Sequence, residues 1–392
     1  MALILIAILV ALAFTYINGF HDTANSIATV VSTKVLTPRQ AVMLAAVTNL
    51  AGAFVGTAVA ATIASGLVDA KVATMPVLIC AMLAAIAWSL LTWWVGLPSS
   101  SSHALVGGLC GACVAAAHDN WSVIIWSIPG KDHWWQGKGI LWKVIVPMIT
   151  SPILGFGVGF FIMGLLYFLL RNWRPVTVNR TFGKLQLFSA AYMGFSHGTN
   201  DAQKTMGIIT LALVVATKAG MLAGVPDWLG WLQTPEGTPT GQLPPLAWCI
   251  THLPSWLQFG YKPPVFDSHA QFIPAWVTVV CGLTMCAGTA AGGWRIIKTL
   301  GHKMVKLHPV HGFAAEATGA SVLLVAAHFG MPVSTTHAIT TSIMGVGCAK
   351  GFNALKLRVV ERIIWAWVLT IPASALVAYL LVRAAHALNW IP

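Results

Sequence analysis

Apolar residues run in long windows along most of this chain, and polar residues gather between the windows instead of alternating with them. The windows fall at 1–32, 41–66, 75–95, 96–117, 140–170, 185–221, 272–292, 310–329, 330–350 and 363–383. A straight helix crosses the hydrocarbon core of a bilayer with ~20 residues, so each window reads as a crossing. The pattern predicts an all-α polytopic membrane protein with the lipid bilayer as its medium. Several windows are too long for a straight crossing or carry Gly, Pro and polar clusters, which predicts broken helices or re-entrant helical hairpins.

Composition agrees with this: 57% of the residues are hydrophobic and 8% charged, with a mean hydropathy of +0.78. Most acids lie in or beside loops; Asp22, Asp201 and Glu316 lie inside apolar windows and need a reason to be there. The net charge of +12 does not point to nucleic acid, because Lys and Arg sit at window ends and form no patch with stacking aromatics. One set of ends, from Lys34 and Arg39 through Arg171, Arg174 and Lys350 to Arg358 and Arg362, holds about twice as many as the other. Placing that set in the cytoplasm puts both termini outside a cell (inner) membrane. The cysteines have no metal-ligand spacing and read as packing residues. The apolar N-terminus has no Lys or Arg ahead of it and reads as a retained first helix.

The chain repeats itself. "GLPSSSSHA" (96–104) matches "GMPVSTTHA" (330–338), and "GFHDTAN" (19–25) aligns with "GTNDAQK" (198–204), pairing Asp22 with Asp201 and Asn25 with Lys204. With the orientation above, matched elements run in opposite directions. The expected organisation is a first inverted repeat at 1–139, a connecting crossing and basic loop at 140–184, and a second repeat at 185–392 with a Pro/Trp-rich outside loop at 224–271. Inverted repeats with interrupted helices are the pattern of secondary transporters, whose substrate lies between the repeats.

On a helix, Asn18, Asp22, Asn25 and Thr29 form one polar stripe, and His197, Asp201 and Lys204 form its counterpart. A charge near the bilayer centre costs about 2.5–3.5 kcal/mol, and cheaper polar residues can join helices, so these stripes line a protein-buried or watered cavity. In the second motif pair, Pro98 and Pro332 interrupt the incoming segment and Ser or Thr caps the outgoing helix. Ser100, Ser101 and Ser102 face Ser334, Thr335 and Thr336 in this scheme, two tips of donors that enclose a tetrahedral oxyanion. Asp22 and Asp201 beside an anion make sense if they hold H⁺ or Na⁺, or accept P–OH hydrogens. Sulfate has no such hydrogens near neutral pH, which favours phosphate. His103 and His337 read as packing residues; Glu316 has no partner at its repeat offset, which lands on Met82, and stays open between helix packing and an ion site.

At these motifs, and over nearly the whole chain, the sequence resembles the PiT family of inorganic phosphate transporters, particularly its bacterial low-affinity branch. The resemblance implies a homodimeric, cation-coupled symporter of inorganic phosphate with no bound cofactor. It implies that Asp22, Asn25 and Asp201 contact phosphate or the coupling ion, with Asn18, His21, Asn200 and Lys204 around them, and that the two Ser/Thr tips donate to phosphate oxygens. "GFHD" in place of "GAND", and Asn49 in place of Glu, lean toward H⁺, with Na⁺ open. Relatives also suggest a divalent-metal phosphate complex as the carried species.

A sulfate permease and a passive anion channel remain rival classes. An intramembrane Ser/His hydrolase fits poorly, because no G-x-S-x-G stands here and one active site needs no inverted duplicate. The orientation is directly testable: a cysteine introduced in the 293–308 loop should react only from the cytoplasm and one at Gly237 only from outside. The reverse labelling would turn the molecule over while keeping the inversion.

Overall fold

The computed structural model describes residues 1–130, 137–223, 225–226, 230, 232 and 273–390. The loop expected at 224–271 lies almost wholly outside the described residues. Helices α1 (Ala2–Ser32), α4 (Met75–Val95), α6 (Val146–Leu169, led in by a π-helical turn, Leu141–Ile145), α10 (Pro309–His328) and α12 (Leu357–Ala387) are long and apolar enough to cross a membrane. Two bent pairs add to them. Helix α2 (Pro38–Ala53) turns by 69° into α3 (Ala58–Ser65), and α8 (Ala275–Ala291) turns by 57° into the short α9 (Trp294–Lys298). Both breaks are at glycines with positive φ, Gly56 at 81° and Gly292 at 73°, a conformation that other residues enter only with strain.

The windows 96–117 and 330–350 hold shorter helices, α5 (Ser101–Ala116) and α11 (Thr335–Lys350), each of 16 residues. At 1.5 Å per residue each is about 24 Å long, less than the thickness of a bilayer core. The residues before them, 97–100 and 331–334, are non-helical, as the two prolines predicted. The window 185–221 is longer than a straight crossing needs. It belongs to one unbroken helix, α7 (Pro175–Lys218), of 44 residues. A lone helical glycine costs only about 1 kcal/mol, so Gly194, Gly198 and Gly207 do not break it, and no proline follows Pro175.

Helices α2 and α3 pack along α7, and α8 packs along α1. Glycine sets these distances. A Cβ on Gly19 of α1 would stand 2.7 Å from the Met285 carbonyl and 3.0 Å from the Cα of Gly288 on α8, and one on Gly198 of α7 would collide with the Asn49 carbonyl of α2. Close backbone approach of this kind is how helices associate where solvent gives them no hydrophobic incentive. Outside these pairs, α5 lies along α12 and α11 along α6.

Gly198→Ala should therefore force α2 off α7 and lower the melting temperature in detergent, with an overpacking cost of about 1–3 kcal/mol. Gly164→Ala, whose Cβ would meet nothing within 4 Å, should leave it unchanged. Equal melting of the two variants would refute this account of the packing.

Candidate functional site

The site forms where two long helices pass two short helix starts. Along α1, Asn18, Asp22, Asn25 and Thr29 are all buried, and along α7 so are His197, Asn200, Asp201 and Lys204. The short helices begin alike. Ser100 caps α5 by accepting from His103 N at 3.2 Å, and Ser334 caps α11 by accepting from His337 N at 3.1 Å. Each capping hydroxyl still has its own hydrogen to donate. These are the caps that the sequence predicted.

The tips touch reciprocally. Ser102 Oγ donates to the carbonyl of Val333 and Thr336 Oγ donates to the carbonyl of Ser99, both at 3.0 Å. Asn25 from α1 donates to Thr335 at 3.2 Å and Thr336 at 2.9 Å. Asp22 accepts from Ser101 at 2.7 Å and lies 2.8 Å from His21 Nδ1. Lys204 forms an ion pair with Asp201 at 2.7 Å and donates to Ser101 at 3.2 Å. Weaker contacts of 3.4 Å join Thr336 to Asp22 and Thr335 to Asp201. A chain of polar contacts thus runs from Asp22 through Ser101 and Lys204 to Asp201, residues far apart in sequence.

His197 carries a further constraint. Asn49 lies between Thr289 Oγ1, 3.2 Å from its Nδ2, and His197 Nδ1, 2.9 Å from its Oδ1, and with the amide turned this way Nδ1 is the donor. His197 Nε2 then faces Asp201 Oδ2 at 3.4 Å. In a neutral imidazole that nitrogen is an acceptor, so two acceptors face each other unless a proton is shared between them.

Atoms of Asp22, His197 and Asp201 also lie within 4.8 Å of one another, and among the described residues this set could hold a metal ion. The Lys204 ammonium already stands against it. Asn18 and Asn200 are brought to the same helices, and neither amide atom of either has a partner among the described protein groups. The rings of His103 and His337 meet edge to face at 4.8 Å behind the tips, and His337 lies against Trp367 at 4.0 Å, in keeping with packing roles.

The sequence reading found no partner for Glu316, and the structure supplies three. Glu316 accepts from Thr29 at 2.5 Å, from Gln186 at 3.0 Å and from Ser189. Gln186 and Ser189 share a face of α7, three residues apart, a spacing visible in the sequence. Asn49, Thr289 and Thr92 also escaped assignment to the site; Thr92 lies 3.2 Å from His21 Nε2. All are single neutral residues that only packing brings to the charges.

Buried charges on long membrane helices, with donors converging from two helix starts, define a carrier of small ions. Comparison with known proteins agrees: the model of the phosphate transporter family matches residues 18–378, and the chain belongs to that family. It is similar to a probable low-affinity inorganic phosphate transporter of Bacillus subtilis, 38% identical over 95% of this chain and 94% of that one. A counterpart in Rhizobium meliloti is 38% identical over 96% of this chain and 95% of its own length. Among solved structures, one described as the sodium-dependent phosphate transporter superposes with a TM-score of 0.75 at 21% identity, covering 99% of this chain and 100% of that one. At that identity the likeness shows the fold. Membership in a transporter family also removes the hydrolase reading.

If both tips donate to one oxyanion, Ser101→Ala and Thr335→Ala should each weaken phosphate binding by roughly tenfold or more, since a hydrogen bond to a charged group contributes about 1.5–3 kcal/mol. Binding measured by calorimetry in detergent tests this, with expression as the folding control. Parental affinity in both variants would show that the tips do not form the site.

Proposed function

We propose that the chain is a secondary active symporter of inorganic phosphate driven by protons, built from two inverted repeats that meet at the Ser/Thr tips. The single observation that carries the proton reading is the His197–Asp201 pair. With the Asn49 oxygen turned to Nδ1, the facing Nε2 and carboxylate oxygen, 3.4 Å apart, need one proton between them. Lys204 strengthens the reading, because a fixed ammonium 2.7 Å from Asp201 occupies ground that a coupling metal ion would need.

In this mechanism phosphate enters between the tips, where the starts of α5 and α11 present backbone N–H groups. Ser101, Thr335, Thr336, Asn25 and Lys204 supply side-chain donors, and Ser100, Ser102 and Ser334 flank them. Asp22 or Asp201 accepts the P–OH hydrogen, which distinguishes phosphate from sulfate. The hydroxyl-to-carbonyl bonds of Ser102 and Thr336 close the tips on each other, so alternating access requires them to part. Protonation and substrate both change the balance of charge at that junction, and this couples them.

A sodium-driven cycle is the second reading. It is favoured by the cluster of Asp22, His197 and Asp201 atoms and by the sodium dependence named for the structural neighbour. Labelled-phosphate uptake into proteoliposomes, with H⁺ and Na⁺ gradients imposed separately, decides between them. Concentrative uptake under a proton gradient without sodium is the expected result; uptake that follows only sodium would overturn the proton assignment. A divalent-metal phosphate complex as cargo would show as co-accumulation of the metal.

Asn in place of either aspartate keeps size and hydrogen bonding but removes titration. Asp22→Asn and Asp201→Asn should each reduce gradient-driven uptake to the level of empty liposomes and also lower phosphate binding, since a strong acceptor is lost. Concentrative uptake at the parental rate in either variant would rule out these residues as the coupling groups.

A further inference from the structure

At the N-terminal end of α7, well before Asp201, the ends of α6 and α11 and the starts of α7 and α10 enclose an open cavity of about 370 Å³ that the transport site does not use. Two exposed cations line it, Arg171 just beyond α6 and Lys350 at the end of α11. Neither is ion-paired among the described residues, where the ion pairs involve His21, His197 and Lys204. The Arg171 guanidinium lies over the Phe168 ring, 4.9 Å from its centroid, so its position is partly fixed before any ligand arrives.

Neutral donors complete the polar wall. His308 N donates to His311 Nδ1 at 3.0 Å, which leaves Nε2 of a neutral His311 as the N–H that donates to Tyr167 Oη at 2.9 Å. Tyr167 can then turn its own hydrogen toward a ligand. Apart from Asn179 the rest of the lining is apolar, with Met163, Leu170, Val178 and Val310 among it and Trp173 47% exposed. Trp and Tyr at this level mark a membrane–water interface, and the charge asymmetry of the chain makes it the cytoplasmic one.

A free oxyanion would use the cations but gain nothing from the apolar lining. An amphiphile uses both. We propose that this cavity binds an anionic phospholipid, with its phosphodiester between Arg171 and Lys350 and the upper part of an acyl chain against Met163, Leu170 and Val178. Basic pockets between membrane helices on the cytoplasmic side are where anionic headgroups are recognised. The site is separate from the one that carries phosphate and does not depend on which ion drives transport.

The test uses the full chain, purified in mild detergent, with phosphatidylglycerol or phosphatidylcholine added and retained lipid counted by native mass spectrometry. The parent should retain phosphatidylglycerol in preference to phosphatidylcholine, and excess inorganic phosphate should not displace it. The double variant R171Q/K350Q should lose that preference by about tenfold or more. The variant R174Q/R180Q, which removes two cations from the same face outside the cavity, should keep it. The charge-conserving R171K/K350R should restore most of the retention and show that the cavity still forms. Equal retention of the two lipids by the parent, equal losses in the two neutralised variants, or displacement by inorganic phosphate would each overturn the proposal.

Discussion

The structure turns on the expense of charge away from water. Asp22, Asp201 and Lys204 are each essentially inaccessible, and an isolated ion in such a place is not tolerated. The Lys204–Asp201 ion pair, with Ser101 bridging to Asp22, is what makes the interior habitable for them. The rest of the architecture serves that junction. The two long helices bring the charges, the two short helices begin beside them so that unsatisfied N–H groups face inward, and glycine crossings hold the scaffold at the spacing the junction needs. Because truncating one partner of such a pair strands the other, the junction is sensitive in proportion to its burial.

Much of this was legible in the chain because lipid imposes simple rules. A window that must satisfy its own backbone declares itself by length, which is why the apolar runs correspond to helices and why the prolines at 98 and 332 mark true interruptions. Asp22 and Asp201 were conspicuous because nothing cheap explains a carboxylate in such a window. The duplicated Ser/Thr motif then paired the two halves, and both caps form as read.

What escaped the sequence depends on tertiary placement. Glu316 was sought through the repeat, yet its partners come from α1 and from an earlier turn of α7, which no offset relates to it. Asn49 drew notice only as a difference from relatives, and its place between Thr289 and His197, beside Asp201, emerges from a four-residue geometry. Which windows break and which run on was left open by the sequence, because glycines and polar residues, as in α7, are readily overridden by packing. Arg171 and Lys350 were visible, but only as markers of orientation; that they share a cavity is a matter of how four helix ends come together.

The unbroken course of α7 has a mechanical meaning. A hydrogen-bonded helix does not stretch, so Val178, at the cavity between four helix ends, and Lys204, at the charged junction, move as points on one lever about 39 Å apart. A tilt of about ten degrees pivoting at the Val178 end carries the junction sideways by about 7 Å. Whatever holds or frees the foot of that lever sets the leverage available at its other end, and a lipid bound there, as proposed, would give the surrounding membrane a mechanical route to the carrier's centre.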